Sequence, residues 1–346
     1  MKNLQKILEF YGFKSNHFAQ NIEQLLILAI QHHHPKLSRA EIILKFESCD
    51  YIKCLNNLVY YTQQFFFARE NERWDLMIPE WIIDNESQVF KICETIGLCE
   101  EINPEATTYD AAAIFGANKS EIFRRYRYLI RKIRSNNLLI KKRIYLLTGH
   151  RLLTPRIDGS DSYFARLNSK YGAELFETQM MLDMYERFVK PYISSNLELV
   201  IIDTGVVNNR RPNTADTLFK LIEEVNEDDK SIVFISRSPS ILEQRAAVEK
   251  VFSKSDIYFE VIGGECNLLE VVDKARAAYH ILMSFAGAIY ENYLFVAKQL
   301  AEEQKQSFDE LAFIEQRSKL GFRKSPCREV ILSDKAFTAP IEKKTN

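Results

Sequence analysis

The spacing of hydrophobic positions changes along the chain. Through the first hundred residues apolar groups recur every three to four positions, in aromatic-rich stretches such as NIEQLLILAIQ (21–31), YIKCLNNLVYYTQQFFFA (51–68) and SQVFKICETIGL (87–98). That spacing places an apolar stripe along each of several helices, so residues 1–105 are expected to form a helical N-terminal domain or extension. From about Tyr109 the pattern switches to short bulky runs: DAAAIFG (110–116), RIYLLTG (143–149), LELVIID (197–203), SIVFIS (231–236) and DIYFEVIG (256–263). Amphipathic segments separate them, among them EIFRRYRYLIRKIR, ELFETQMMLDMYERFV, TADTLFKLIEEV and ILEQRAAVEKVF. Runs without polar alternation are strands buried on both faces, and such strands need helices on both sides of a mainly parallel sheet. The expected fold class for residues 106–323 is a doubly wound, Rossmann-like α/β domain with C-terminal helices. Residues 276–320 read as one or two long helices, more apolar than a surface helix needs, so they should pack on the sheet or on the N-terminal domain. A homodimer contact is another use of that apolar surface. The tail, 324–346, reads as loosely held.

Composition narrows the picture without deciding it. The 46 Lys and Arg nearly balance the 47 Asp and Glu, and a net charge of -1 gives no global drive toward nucleic acid or an acidic membrane. No apolar run approaches the roughly 18 residues of a membrane span, and MKNLQKILEFYGFKSNH lacks a signal peptide's apolar stretch and cleavage site. The expectation is a cytoplasmic protein, with export by a route that leaves no such signal still open. The six cysteines, at 49, 54, 93, 99, 266 and 327, form no CxxC pair and have no histidine at zinc spacing, so free thiols are expected. His32, His33 and His34 stand at a helix end before Pro35, point in different directions and make a poor metal site.

In an open parallel sheet, ligands bind beyond the carboxyl ends of the strands, which turns attention to the residues just past each apolar run. After the first comes GANKSEIFRR, where Gly116 permits a tight turn, Asn118 with Glu121 suits a helix start, and Lys119 and Arg124 add positive charge. It is neither GxGxxG nor a P-loop. After the second come Thr148, Gly149, His150 and Arg151. Asp203 closes the third, and Arg210, Arg211, Pro212, Asn213, Thr214 and Asp216 lead into a helix. After the fourth, Ser236, Arg237 and Ser238 precede a helix carrying Gln244 and Arg245. These are hydroxyls, amides and cations rather than a catalytic triad, and GxSxG is absent. They imply a pocket for a phosphorylated, carboxylated or nucleotide-like ligand. Arg245 and Arg124 would clamp its charge and Thr214 would donate a hydroxyl, with Arg211 among the ligand-binding residues, while Asp203 or Asp216 would act as general base or hold a metal.

This succession resembles the YdcF/SanA/ElyC family of Rossmann-like α/β domains: a strand ending in Gly, an Arg-bearing helix, LLTGH, an acidic helix, RRPNTADT and VFISRSPSILEQR. The likeness spans roughly residues 110–265. The matching positions are Gly116, Arg124 or Arg125, Thr148 with Gly149, Asn213 with Thr214 and Asp216, and Ser236 with Arg245. The family's acid before the second helix aligns with Glu174 or with Glu177. His150 stands where the family often has a second glycine, Asp216 replaces a Glu, Thr217 replaces an Asn, and the histidine common before the last helix is missing from SRSPS. The resemblance implies bacterial biology, cytoplasmic or at the cell envelope, and nucleotide or S-adenosylmethionine binding, with hydrolase or transferase activity dependent on groups this chain partly lacks.

A second function class competes. Between Lys119 and Arg151 stand eleven Lys or Arg against one acid, Glu121. On the helix, Phe123, Tyr126, Ile130 and Ile133 form the expected buried face, with Arg124, Arg127, Arg131 and Arg134 lined up beside it. A non-catalytic protein would use this stripe on a polyanion or an acidic partner. Nucleic acid is disfavoured here because the interleaved aromatics are expected to face inward.

Overall fold

In a computed structural model the described residues are 2–10, 16–47, 51–67, 77–207, 212–267 and 272–303. The N-terminal part is helical, as its periodicity predicts: α1 (Lys2–Phe10), α2 (Asn16–His33), α3 (Arg39–Glu47), α4 (Tyr51–Phe65), α5 (Glu80–Asp84) and α6 (Glu86–Thr95). The α/β part comes next as β1 (Thr108–Phe115), α7 (Lys119–Arg134), β2 (Leu139–Thr148), α8 (Pro155–Asp158), α9 (Asp161–Tyr171), α10 (Glu177–Phe188), β3 (Glu198–Asp203), α11 (Thr214–Glu224), β4 (Ser231–Arg237), α12 (Ile241–Phe252) and β5 (Tyr258–Gly264). A single long helix, α13 (Lys274–Glu303), comes last. The tail expected at 324–346 lies outside the described residues.

All five strands pair in parallel in the order β3-β2-β1-β4-β5, the doubly wound arrangement expected. Alternate side chains of the strands feed two separate cores. Ala112, Ile114, Ile144, Leu146, Val233 and Ile235 pack with α7, α9 and α10 on one face. Ala111, Ala113, Phe115, Tyr145, Leu147, Ile232 and Phe234 pack with α11 and α12 on the other. Each fully buried aliphatic or aromatic side chain contributes roughly 1.5–3 kcal/mol of transfer free energy, so a strand that is apolar at every position serves both cores at once. The central strand β1 carries three consecutive alanines, all fully buried, which lets helices approach it from both sides.

The molecule divides into two units, residues 1–99 with 267–346, and residues 100–266. The sequence grouped the C-terminal helices with the α/β domain but left their packing open between the sheet and the N-terminal domain; α13 packs on α4, α5 and α6. Both faces of the sheet are already covered, whereas the N-terminal helices offer aromatic stripes that an apolar helix can bury. Gln63 donates to the Ala286 carbonyl at 3.0 Å and Tyr293 to Asn56 Oδ1 at 3.0 Å, both out of solvent. Cys54 and Cys93 are buried in this unit, and burial pushes the Cys93 thiol up to about 12. Among the described residues no helix is long and apolar enough to cross a membrane.

Candidate functional site at the carboxyl edge of the sheet

The chain lays down β1, β2 and β3 outward in one direction, then returns to place β4 and β5 on the other side of β1. The connections that leave β1 and β4 therefore diverge, and a crevice opens between them at their carboxyl ends. From β1 the chain passes through Gly116, Ala117 and Asn118 into α7, where the Asn118 side chain accepts the Glu121 N–H at 3.0 Å. From β4 it turns through Ser238 and Pro239, joined by a cis peptide bond, into α12. The register Ile114 to Ile235 continues to bring Gly116 level with Arg237.

Two arginines meet one carboxylate at this point, with a third beneath them. Arg237 Nη1 donates to Glu121 Oε1 at 2.6 Å and Arg124 Nη1 to the same oxygen at 3.0 Å. Arg125, buried beneath them, donates to the carbonyls of Phe115 at 2.7 Å and Gly116 at 2.8 Å, which fixes the exit of β1. Burial by itself raises the Glu121 carboxyl, but the Arg237 guanidinium, with Arg125 and Arg124 behind it, outweighs burial and holds it below the ordinary carboxylate range. Arg237 and Arg124 thus share a single carboxylate oxygen, two guanidinium groups to one carboxylate at the mouth of the crevice.

Beside it, over the ends of β1 and β2, lies a buried ion network. Arg151 grips Asp158 through both terminal nitrogens, at 2.6 and 2.8 Å, and Glu177 through Nε at 3.0 Å. Asp158 is fully buried and Glu177 nearly so. Burial works against the Arg151 charge, yet the two carboxylates raise its pKa above the ordinary value. Glu177 also accepts the Gly149 N–H at 3.3 Å and lies so close to Gly116 that a Cβ there would fall 1.9 Å from its Oε1. The two glycines picked from sequence thus share one partner, a carboxylate that only a glycine at 116 admits.

Over the ends of β2 and β3 the Thr178 hydroxyl donates to Asp203 Oδ2 at 2.8 Å and lies 2.9 Å from the Thr148 hydroxyl. Asp203 Oδ1 accepts the Gly205 N–H at 3.2 Å, and its backbone carbonyl accepts Lys220 Nζ at 2.5 Å. His150 stacks on Phe176 with ring centroids 4.3 Å apart.

Of the residues expected from sequence, Gly116, Asn118 and Arg124 therefore meet at the β1 exit, and Thr148, Gly149 and Asp203 at the neighbouring strand ends. Others are occupied elsewhere. Asn213 and Asp216 cap α11 reciprocally, Asn213 Oδ1 accepting the Asp216 N–H at 2.9 Å and Asp216 Oδ2 the Asn213 N–H at 2.7 Å, with Thr214 as the first helical residue. The fully buried Ser236 hydroxyl bonds Gln244. Arg245 is half exposed on α12 and pairs with Glu249 at 2.9 Å. Arg211 lies outside the described residues. Among those residues no group of His, Cys, Asp or Glu could hold a metal ion.

Arg237, Arg151, Asp158 and Thr178 are the additions, and Glu177, one of the two acids the family resemblance aligned, stands with them. Arg237 and Arg151 stood in the strand-exit segments, but nothing in the spacing distinguishes an arginine that closes a buried ion network from one that faces solvent. Comparison with protein-family models, curated proteins and solved structures gives no match for this chain. The YdcF/SanA/ElyC resemblance rests on its short motifs alone.

Proposed function

We propose that the α/β unit binds a small anionic molecule, phosphate-bearing or nucleotide-like, in the crevice between the carboxyl ends of β1 and β4. The observation that carries this reading is the excess of guanidinium over carboxylate there: Arg237 and Arg124 both donate to one oxygen of Glu121. A phosphate or carboxylate on the ligand would take up that excess, with Arg237 and Arg124 as its hydrogen-bond donors. The YdcF-like order of strand ends supports the same reading, and S-adenosylmethionine belongs among the ligands to test. Should the bound molecule be turned over by a hydrolase or transferase step, Asp203 is the acid to hold responsible. It sits two strands from β1, about 10 Å at ordinary strand spacing, oriented by Thr178 and the Gly205 amide. Asp216 is committed to its helix cap.

The test is a thermal-shift screen of the full chain against nucleotides, S-adenosylmethionine and sugar phosphates, with and without divalent metal ions, repeated with Arg237→Gln. At a concentration about 100-fold above the dissociation constant a ligand stabilises by roughly 2.7 kcal/mol. A shift that Arg237→Gln abolishes and Arg245→Ala leaves intact supports the crevice. A shift with the opposite dependence moves the ligand to α12, and no shift with any compound removes the reading.

A further inference from the structure

The exposed face of α7 and the end of α10 carry positive charge that the fold does not use. Arg124 and Arg131 on α7 pair with Glu121 and Glu101. Arg127 and Arg134, equally exposed, have no carboxylate within salt-bridge distance among the described residues, and the same holds for Lys190 just after α10. Arg187, also exposed, stands 4.0 Å from Asp183 Oδ2, while Arg166 holds that carboxylate at 2.5 and 2.7 Å. In a chain of net charge -1 this is segregation of charge, not excess, and leaving cations unpaired at close range costs repulsion that a partner would relieve.

Aromatic rings are built into the same surface. Phe123 and Phe188 meet edge to face at 5.1 Å and join α7 to α10. The Arg127 guanidinium lies 5.9 Å from the Phe123 ring centroid, Arg187 lies 5.1 Å from that of Phe188, and Arg134 lies 5.8 Å from that of Tyr192. Tyr192 is 53% exposed. Sequence periodicity turned the aromatics of α7 inward. In the structure Tyr126 and Ile130 are buried as expected, but Phe123 lies at the margin with only part of its surface covered. Beside them Ile122, Arg125, Tyr128 and Leu129 are buried as well, so Phe123 is the one aromatic of α7 that reaches the margin.

We infer that this arginine and aromatic face binds single-stranded nucleic acid, its phosphates met by Arg127, Arg134, Arg187 and Lys190 and its bases by Tyr192 and the guanidinium planes. A strand supplies regularly spaced charge and planar rings, and so satisfies both halves of the surface. An acidic peptide or an anionic bilayer would answer the charge alone. The proposal is independent of the crevice, whose Arg124 and Arg237 it does not involve.

The experiment is fluorescence anisotropy of the full chain with a labelled oligothymidylate of about 20 nucleotides, titrated across salt from about 50 mM upward. The variant Arg127→Gln/Arg134→Gln/Lys190→Gln removes three cations and breaks no ion pair among the described residues; unchanged thermal melting certifies its fold. The expected result is binding that weakens with salt, a loss of at least about tenfold in the triple variant, and a salt slope shallower by about two, since each phosphate neutralised on a single strand contributes roughly -0.7. Tyr192→Ala is expected to weaken the oligonucleotide about fivefold or more and to leave an abasic strand of equal length unaffected. Absence of binding at the lowest salt overturns the proposal, as does a triple variant that binds like the parent, equal sensitivity of abasic and base-bearing strands to Tyr192→Ala, or equal affinity for polyglutamate or anionic vesicles.

Discussion

Replacing Arg151 by Met tests whether the buried network over β1 and β2 is a structural keystone. The guanidinium makes four hydrogen bonds: two to Asp158, one to Glu177 and one, at 3.1 Å, to the Ala117 carbonyl. Methionine of similar length fills the space but leaves one fully buried carboxylate and another at 3% exposure without their cation. Removing one partner of a buried ion pair costs about 3–5 kcal/mol, mostly the uncompensated charge left behind. For a unit of this size each kcal/mol lowers the melting temperature by roughly 2–4 °C, so a drop of about 6–20 °C is expected. Far-UV circular dichroism, through a thermal ramp for the melting temperature and a urea titration for the free energy, is the assay. Tryptophan fluorescence does not serve, because neither tryptophan of the sequence, at positions 74 and 81, falls within residues 100–266. Adding Asp158→Asn to Arg151→Met should recover part of the loss by removing the orphaned charge. A single variant less than about 1 kcal/mol below the parent, or a double variant that is worse still, would refute the assignment of this network as the feature that locks the strand exits.

Gly116→Ala should lose at least about 1–3 kcal/mol in the same titration, because its Cβ would meet Glu177 Oε1 at 1.9 Å and the Leu147 carbonyl at 2.7 Å; a neutral result would mean that Glu177 swings away freely. Asn213→Ala should cost about 1 kcal/mol through loss of the α11 cap, while Asp216→Asn leaves any ligand-induced thermal shift unchanged, which separates capping from catalysis. Acidification should destabilise the α/β unit. Burial raises the Glu260 carboxyl, but the Tyr109 and Tyr258 hydroxyls and the amides of Glu105 and Ala106 outweigh it and lower its pKa; Glu121, opposed in the same way by Arg237, is also lowered. A group lowered on folding stabilises fully above its unfolded value, 4.5 for both, and that contribution is lost as the pH falls through the folded one. Urea midpoints should therefore drop below about pH 5, and Glu260→Gln should flatten that limb; a midpoint independent of pH would contradict it.

The five strands and the helices between them were legible in the sequence, because a strand buried on both faces must be apolar at consecutive positions and an amphipathic helix must repeat every three to four. The observed strand ends at Phe115, Thr148, Asp203, Arg237 and Gly264 fall within a residue of the apolar runs read from sequence. Gly116, Thr148, Gly149 and Asp203 could be picked because they sit where such runs stop. Helices α8 and α9 were not anticipated: α8 is a single turn, and α9 buries only Tyr163 and Leu167, too sparse a stripe to show a period. Nor could periodicity assign α13 to the N-terminal helices: an apolar helix declares that it will be covered, not by what. The partners of the charged groups were equally hidden. Arg151 and Glu177 are 26 positions apart, and Arg237 and Glu121 are 116 apart. Such pairs exist only because parallel crossovers bring successive strand ends to one edge. An ion pair leaves no periodic trace in the chain, since its energy depends on burial and distance, and both are properties of the folded sheet.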